Sequence, residues 1–141
     1  MDLYTRSVVG WSMEDRLMKE LVLKSLEMAC MRRNPGKGLI FHSDRGSQYA
    51  SGDFRRLLSR KGIIASMSGK GNCYDNAYAE SLFHTIKVEE VYGSIYRTRE
   101  AAKSSLFEYI EVFYNKVRKH SGLGYLSPYQ FEQMLKLQKV A

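Results

Sequence analysis

Two acidic residues stand in strings that could do chemistry together. Asp44 falls in Phe41-His42-Ser43-Asp44-Arg45-Gly46-Ser47-Gln48-Tyr49, and Glu80 in Gly71-Asn72-Cys73-Tyr74-Asp75-Asn76-Ala77-Tyr78-Ala79-Glu80-Ser81. Thirty-five residues separate them, and Lys87 follows the Glu by seven positions. An Asp closing an apolar run and a Glu inside a helix can reach one pair of metal ions from different parts of the chain. Hard carboxylate oxygens suit Mg²⁺ or Mn²⁺, and two such ions clamp the entering and leaving oxygens during in-line attack on a phosphodiester. That chemistry usually takes three carboxylates. This pattern supplies two.

Each acid also has a plainer reading. An Asp at the end of a strand is most often a turn former or a helix cap. On the expected helix, Asn76, Glu80, His84 and Lys87 share one face at spacings of four, four and three, beside the apolar Phe83 and Ile86. Such a face can meet a metal and a phosphate together. It can equally be a solvated surface with a Glu80–His84 or His84–Lys87 contact. His42, two residues before Asp44, is read as pointing to the opposite side of its strand, in the core or in a supporting position.

The elements that must position these residues are legible in outline. Ser7–Met13 is β-branched and aromatic and predicts a strand. Ser12 can cap a helix from Glu14 to about Arg33, with Met18, Leu21, Val22, Leu26 and Ala29 inward and Asn34-Pro35-Gly36 as its stop. Leu39–His42 predicts a short buried strand that ends at Ser43-Asp44. Ser51–Lys61 predicts a second helix with Phe54, Leu57 and Leu58 inward and Gly62 as its terminator. Ile63–Met67 reads as another strand and Ser68–Asn72 as a turn-rich segment. A helix from about Asn76 to Tyr92 follows, with Asp75 as its cap. Thr98 caps a long helix to about His120, with Ala102, Leu106, Ile110, Phe113 and Val117 as its inward stripe. Ser127-Pro128 opens a short terminal helix. Alternating strands and helices predict an α/β fold with a helical C-terminal third.

Composition sets the outer bounds. With 141 residues and 44% hydrophobic content the chain can build one domain with a real core. No stretch approaches eighteen consecutive apolar residues, so no membrane partner is expected, and the N-terminus lacks the order of a secretory signal. Cys30 and Cys73 are far apart and outside any metal-binding spacing, which predicts reduced thiols in a cytoplasmic protein. A net charge of +7 favours an anionic partner.

The whole string narrows this further. His42 to Tyr49, then Gly71 to Ala77 with Glu80-Ser81-Leu82-Phe83 and Lys87, resembles the integrase core of bacterial insertion-sequence transposases of the DDE type. The closing Tyr114-Asn115-Lys116-Val117-Arg118-Lys119-His120-Ser121-Gly122-Leu123-Gly124-Tyr125 and Ser127-Pro128 are similar to that family's signature, as are Asp2–Arg6 and Val8–Trp11. The resemblance implies a ribonuclease-H-like fold and an Asp, Asp, Glu triad in which Asp44 is the second acid and Glu80 the third. It implies Mg²⁺ or Mn²⁺ at both, Lys87 against the DNA end, and Ser68–Asn72 as an active-site loop. Lys70, Tyr74, Arg45 and Gln48 are expected DNA contacts from their positions.

The first acid of that family lies on a first strand ahead of the Asp-Leu-Tyr turn, so the expectation is a core lacking its first strand and most of its second. Asp2 matches the turn, not the triad. Residues 1–121 are then a partial catalytic core and 122–141 a tail with a short helix. The expected function is metal-dependent cleavage and strand transfer in DNA transposition, with this chain inactive alone. The expected partners are DNA and either a second copy or an intact transposase, in the bacterial cytoplasm at the nucleoid. The alternatives are a non-catalytic DNA-binding or multimerising module that modulates an intact transposase, and a nuclease of the same fold.

Overall fold

A computed structural model describes residues 1–16, 18–69 and 74–138, with the side chain of Tyr74 left out. The chain forms two compact units: residues 9–81, and residues 1–8 together with 82–141. Among the described residues no helix is long and apolar enough to cross a membrane.

Residues 9–81 carry helix α1 (Lys19–Arg33), strand β1 (Ile40–Ser43), helix α2 (Gly52–Lys61) and strand β2 (Ile64–Met67). The two strands pair in parallel, Ile40 beside Ile64 through to Ser43 beside Met67, and α2 is the crossover between them. Parallel neighbours need such a crossover. The local signals in α2 work as the sequence predicts: Ser51 Oγ accepts the Phe54 N–H at 3.3 Å, and Gly62 ends the helix in the left-handed region at φ 67°. The core joins Val22, Leu26 and Cys30 of α1 to Phe54, Leu57 and Leu58 of α2 and to Ile63, with Phe41 and Tyr49 packed against it. The Phe41 and Tyr49 rings meet the Phe54 ring at 5.3 and 5.5 Å. Cys30 is a free, buried thiol.

Phe41 faces this core, so strand alternation turns Ile40 and His42 the other way, beside Ile64 and Ser66. Ile40 and Ile64 are 65% and 55% exposed there.

Two elements here depart from expectation. Ser7–Met13 forms no strand; β-branched composition cannot make a ladder without a neighbouring strand to supply the bonds. Gly10 instead lies so close to α1 that a Cβ there would come within 2.2 Å of the Ser25 carbonyl oxygen. Helix α1 starts at Lys19 rather than Glu14, and its N-cap, Met18, makes no side-chain cap bond. Glu14 is ion-paired with Lys24. In one continuous helix those residues would stand about 15 Å apart along the axis, so the pair needs the chain to bend back before the helix begins.

One helical run, which begins in residues 9–81 and ends in the other unit, changes geometry along its length. A 3₁₀ turn (Tyr74–Asn76) leads into α3 (Ala77–Ile86), whose last residues belong to this unit, and a π-helical turn (Lys87–Val91) follows. Helix α4 (Arg99–Glu108) is capped by Thr98 Oγ1, which accepts the Ala101 N–H at 3.1 Å, and runs into a second π-helical stretch (Tyr109–Val117). This winding moves the inward stripe. Tyr109, Ile110 and Tyr114 are buried, whereas Phe113 and Val117, expected inside at 3.6-residue spacing, are exposed. Helix α5 (Pro128–Gln138) opens on a reciprocal cap: Ser127 Oγ accepts the Gln130 N–H, and Gln130 Oε1 accepts the Ser127 N–H.

Two tertiary ties hold this unit. Asn115 Oδ1 accepts the Val8 N–H at 2.9 Å while its Nδ2 donates to the Val8 carbonyl at 3.0 Å, so one carboxamide serves the backbone as a strand neighbour would. Arg118 donates from Nε and Nη2 to the Glu89 carboxylate at 2.6–3.0 Å, and Tyr109 Oη donates to Glu89 Oε2 at 2.6 Å. Hydrogen bonds from Arg118 hold the Glu89 carboxyl below its ordinary range despite partial burial. Burial, then the hydrogen bond to Glu89, pushes the Tyr109 phenol well up. His120 stands beside Arg118; burial first, then the Arg118 charge, lower its imidazole against an opposing pull from Glu89, and Arg6 adds the smallest push downward.

Asn115→Ala is expected to destabilise the chain by about 1–3 kcal/mol by stranding two buried polar groups of Val8, with Asn115→Asp intermediate, as read by urea unfolding. Stability should also fall with acid in two stages. His120 binds its proton more readily in the unfolded chain, so its stage begins as pH drops below 6.5. The Glu89 contribution is present above pH 4.5 and is lost as pH falls through its lower folded value. Melting curves against pH should lose the upper stage in His120→Gln and the lower in Glu89→Gln.

Candidate active site

Asp44 follows the last residue of β1, and its side chain is exposed. One oxygen, Oδ1, accepts the Gly46 N–H at 2.8 Å, which makes the turn that the plainer reading of this residue expects. Oδ2 is left pointing to no hydrogen-bond donor among the described residues. The next side chain reaches across the sheet end: Arg45 Nε donates to the Ser68 carbonyl at 3.0 Å. The Gln48 side chain folds over the same turn, so close that a Cβ on Gly46 would meet its amide at 2.5 Å. Asp44, Arg45 and Gln48 therefore share one turn. Behind it Tyr49 packs into the core, and burial, then the Asp44 charge, raises its phenol.

Ser68 closes this end of the sheet. Its N–H donates to the Ser43 carbonyl at 3.0 Å, adding one rung beyond β2, and its Oγ lies 3.4 Å from that same oxygen. The His42 ring sits between two hydroxyls, Nδ1 at 3.0 Å from Ser66 Oγ and Nε2 at 3.2 Å from Ser68 Oγ. His42 is therefore half-buried on the face turned away from the Phe41 core, in a supporting position. The expectation that it lies across the strand from Asp44 does not hold. Positions two apart on a strand share a side, and β1 itself stops at Ser43.

Glu80 lies in the first turn of α3, exposed, with no hydrogen-bond or ionic partner among the described residues. A helix N-terminus favours a carboxylate there. Asn76, expected one helical turn before it, belongs to the 3₁₀ turn instead. Asp75, expected as the helix cap, lies in that turn and accepts the Gly69 N–H on Oδ2 at 3.0 Å. Asp44 and Glu80 belong to the same compact unit. Lys87 belongs to the other, exposed at the start of the π-helical turn, where its carbonyl accepts the Tyr92 N–H at 2.8 Å. Lys70 and the core of the expected loop, residues 70–73, lie outside the described residues, as does the Tyr74 side chain. Asp2 turns on itself, its Oδ1 accepting the Tyr4 and Thr5 N–H groups at 2.9 Å each, which fits a turn residue.

The donor set suits a hard divalent cation in kind. Glu80 and the outer oxygen of Asp44 are exposed carboxylate oxygens, the ligand type Mg²⁺ and Mn²⁺ take. In number the set is short: among the described residues no three His, Cys, Asp or Glu side chains group to hold an ion. Sequence reading missed Ser68 and Asp75 as ties, since their partners are set by the sheet end. The segment's turn composition was the only local signal.

Comparison with known proteins identifies the family. Two family models, both described as integrase core domain, match residues 1–73 and 80–135. The transposase InsF for insertion sequence IS3A of Escherichia coli (strain K12) is 47% identical over 132 residues, which cover 94% of this chain and 46% of that protein. The transposase for insertion sequence element IS904 of Lactococcus lactis subsp. lactis (strain IL1403) is 44% identical over 133 residues, covering 94% of this chain and 53% of that protein. The chain thus spans about half the length of these curated relatives. It belongs to the integrase core domain family, and the relatives it matches over about half their length are named as transposases for insertion sequences.

Proposed function

We propose that this chain is the catalytic-core part of a transposase that cuts and joins DNA strands at a divalent-cation site held by Asp44 and Glu80. The observation that carries the reading is the pair of outward carboxylates. Asp44 is fixed by one oxygen and offers the other, and Glu80 stands unengaged on the first turn of α3. The parallel β1–β2 pair with its crossover helix supports a ribonuclease-H-like core, which we take as residues 1–121 with 122–141 as a tail.

Asp44 and Glu80 would hold Mg²⁺ or Mn²⁺, which polarises the scissile phosphate and lowers the pKa of the attacking water or 3′-hydroxyl. The residues' own part is to fix charge and orientation. The Gly46 N–H holds one oxygen of the Asp44 carboxylate, and the first turn of α3 carries Glu80. Lys87 offers a compact ammonium to a phosphate of the DNA end. Lys70, Tyr74, Arg45 and Gln48 are further contacts to the strand. Arg45 keeps its terminal guanidinium nitrogens for that role while Nε holds Ser68. A second copy or an intact transposase is the proposed partner, and only the intact protein would bring a third acid.

Saturating Mn²⁺ should raise the melting temperature of this chain, by about 2.7 kcal/mol of stability at a hundredfold excess over Kd, and leave Glu80→Gln and Asp44→Asn unmoved. With two acids only, the chain alone is expected to give no strand transfer above background; product that disappears in Asp44→Ala would contradict this. DNA binding should be mainly electrostatic, with log K falling steeply against log salt and little preference between sequences. A strong preference for one sequence at physiological salt would count against it.

A further inference from the structure

We propose that Ser68 and Asp75 are positioning residues that couple the two acids, through a hydrogen-bonded path running from the Asp44 turn to the start of the Glu80 helix. The inference rests on the metal reading above and names what sets the geometry of that site.

The path has few free joints. Ser68 is buried and uses every polar group it has: N–H and Oγ towards the Ser43 carbonyl, Oγ also towards His42 Nε2, and its carbonyl taking the Arg45 Nε–H. Ser43 and Arg45 flank Asp44 directly, so Ser68 is fixed to both sides of that acid. The next residue, Gly69, donates its N–H to the Asp75 carboxylate at 3.0 Å. Asp75 lies in the 3₁₀ turn that passes without a break into α3. Glu80 follows five residues later, at a helical rise of about 1.5 Å per residue.

A carboxylate held on a backbone N–H makes a charge-assisted bond, stronger than a neutral one. Here that bond joins the two ends of residues 70–73, closing the connection just where the acids must keep a fixed separation. Ligands of a metal pair have to be held to within about 0.5 Å, and two carboxylates from separate elements do not reach that without a tie. Ser68 and Asp75 supply it without touching the cation.

The test uses the full chain and four proteins: unmutated, Glu80→Gln, Asp75→Ala, and Asp75→Asn, which keeps an acceptor oxygen but not the charge. Amide exchange at Gly69 and over Ala77–Glu80 reads the tie. Mn²⁺ titration by calorimetry, below the melting point of each variant, reads its consequence. Asp75→Ala should speed Gly69 exchange about tenfold and weaken Mn²⁺ binding by a similar factor, while Asp75→Asn stays within about threefold on both. Unchanged Gly69 exchange in Asp75→Ala overturns the proposal, and so does faster exchange with unchanged Mn²⁺ affinity. If Asp75→Asn loses Mn²⁺ as fully as Asp75→Ala, Asp75 is a ligand and the positioning role is wrong. An unmutated chain that takes up no more Mn²⁺ than Glu80→Gln overturns the metal reading instead, and Gly69 exchange then decides the coupling by itself.

Discussion

The parallel pairing of Ile40–Ser43 with Ile64–Met67 is the contact on which the candidate site depends. Four residues a side is short for a parallel ladder, which is slightly weaker per residue than an antiparallel one. It holds because Phe41 packs into a core made by Phe54, Leu57 and Leu58 of the crossover helix and the inward face of Lys19–Arg33. Burial of that cluster fixes where β1 ends, and the end of β1 fixes where Asp44 stands. The polar groups at that end complete the ladder: Ser68 adds a rung, Arg45 crosses over it, and the Asp44 carboxylate closes its own turn on Gly46.

The second unit meets a different constraint. Its helices must hold a chain terminus and a charged turn without a sheet of their own. Asn115 takes over the backbone bonding of Val8, and the bidentate Arg118–Glu89 pair ties the π-helical turn after Ile86 to the one before Lys119. The pair is partly shielded and shares its carboxylate with the Tyr109 hydroxyl, so it is more than the usual exposed ion pair. Lys87 opens the same turn that carries Glu89, which gives the charge proposed for the DNA end a rigid base.

What was legible in the sequence was what local chemistry decides. The helix over Gly52–Lys61 declared its cap, its buried triplet and its glycine stop within twelve residues. Thr98 and Ser127 declared theirs as well. Ser7–Met13 misled because strand composition says nothing about whether a partner strand is present. The inward stripe of Arg99–Val117 misled because π-helical winding carries no signature in a 3.6-residue pattern. The Glu89–Arg118 pair joins residues 29 apart and the Asn115–Val8 tie residues 107 apart, beyond any local reading. Asp44 was open to two readings, turn former and ligand. The structure shows the first in one oxygen and leaves the other oxygen for the second.

The central claim is that Asp44 and Glu80 serve one cation. Paramagnetic broadening by Mn²⁺ in an amide-resolved spectrum tests it most directly, because the effect falls steeply with distance from the ion. The account predicts that substoichiometric Mn²⁺ broadens the amides of Arg45 and Gly46 together with those of Ala79 to Ser81, at the same concentration, and that Glu80→Gln abolishes both sets. Broadening confined to one of the two segments, or surviving in Glu80→Gln, would contradict it.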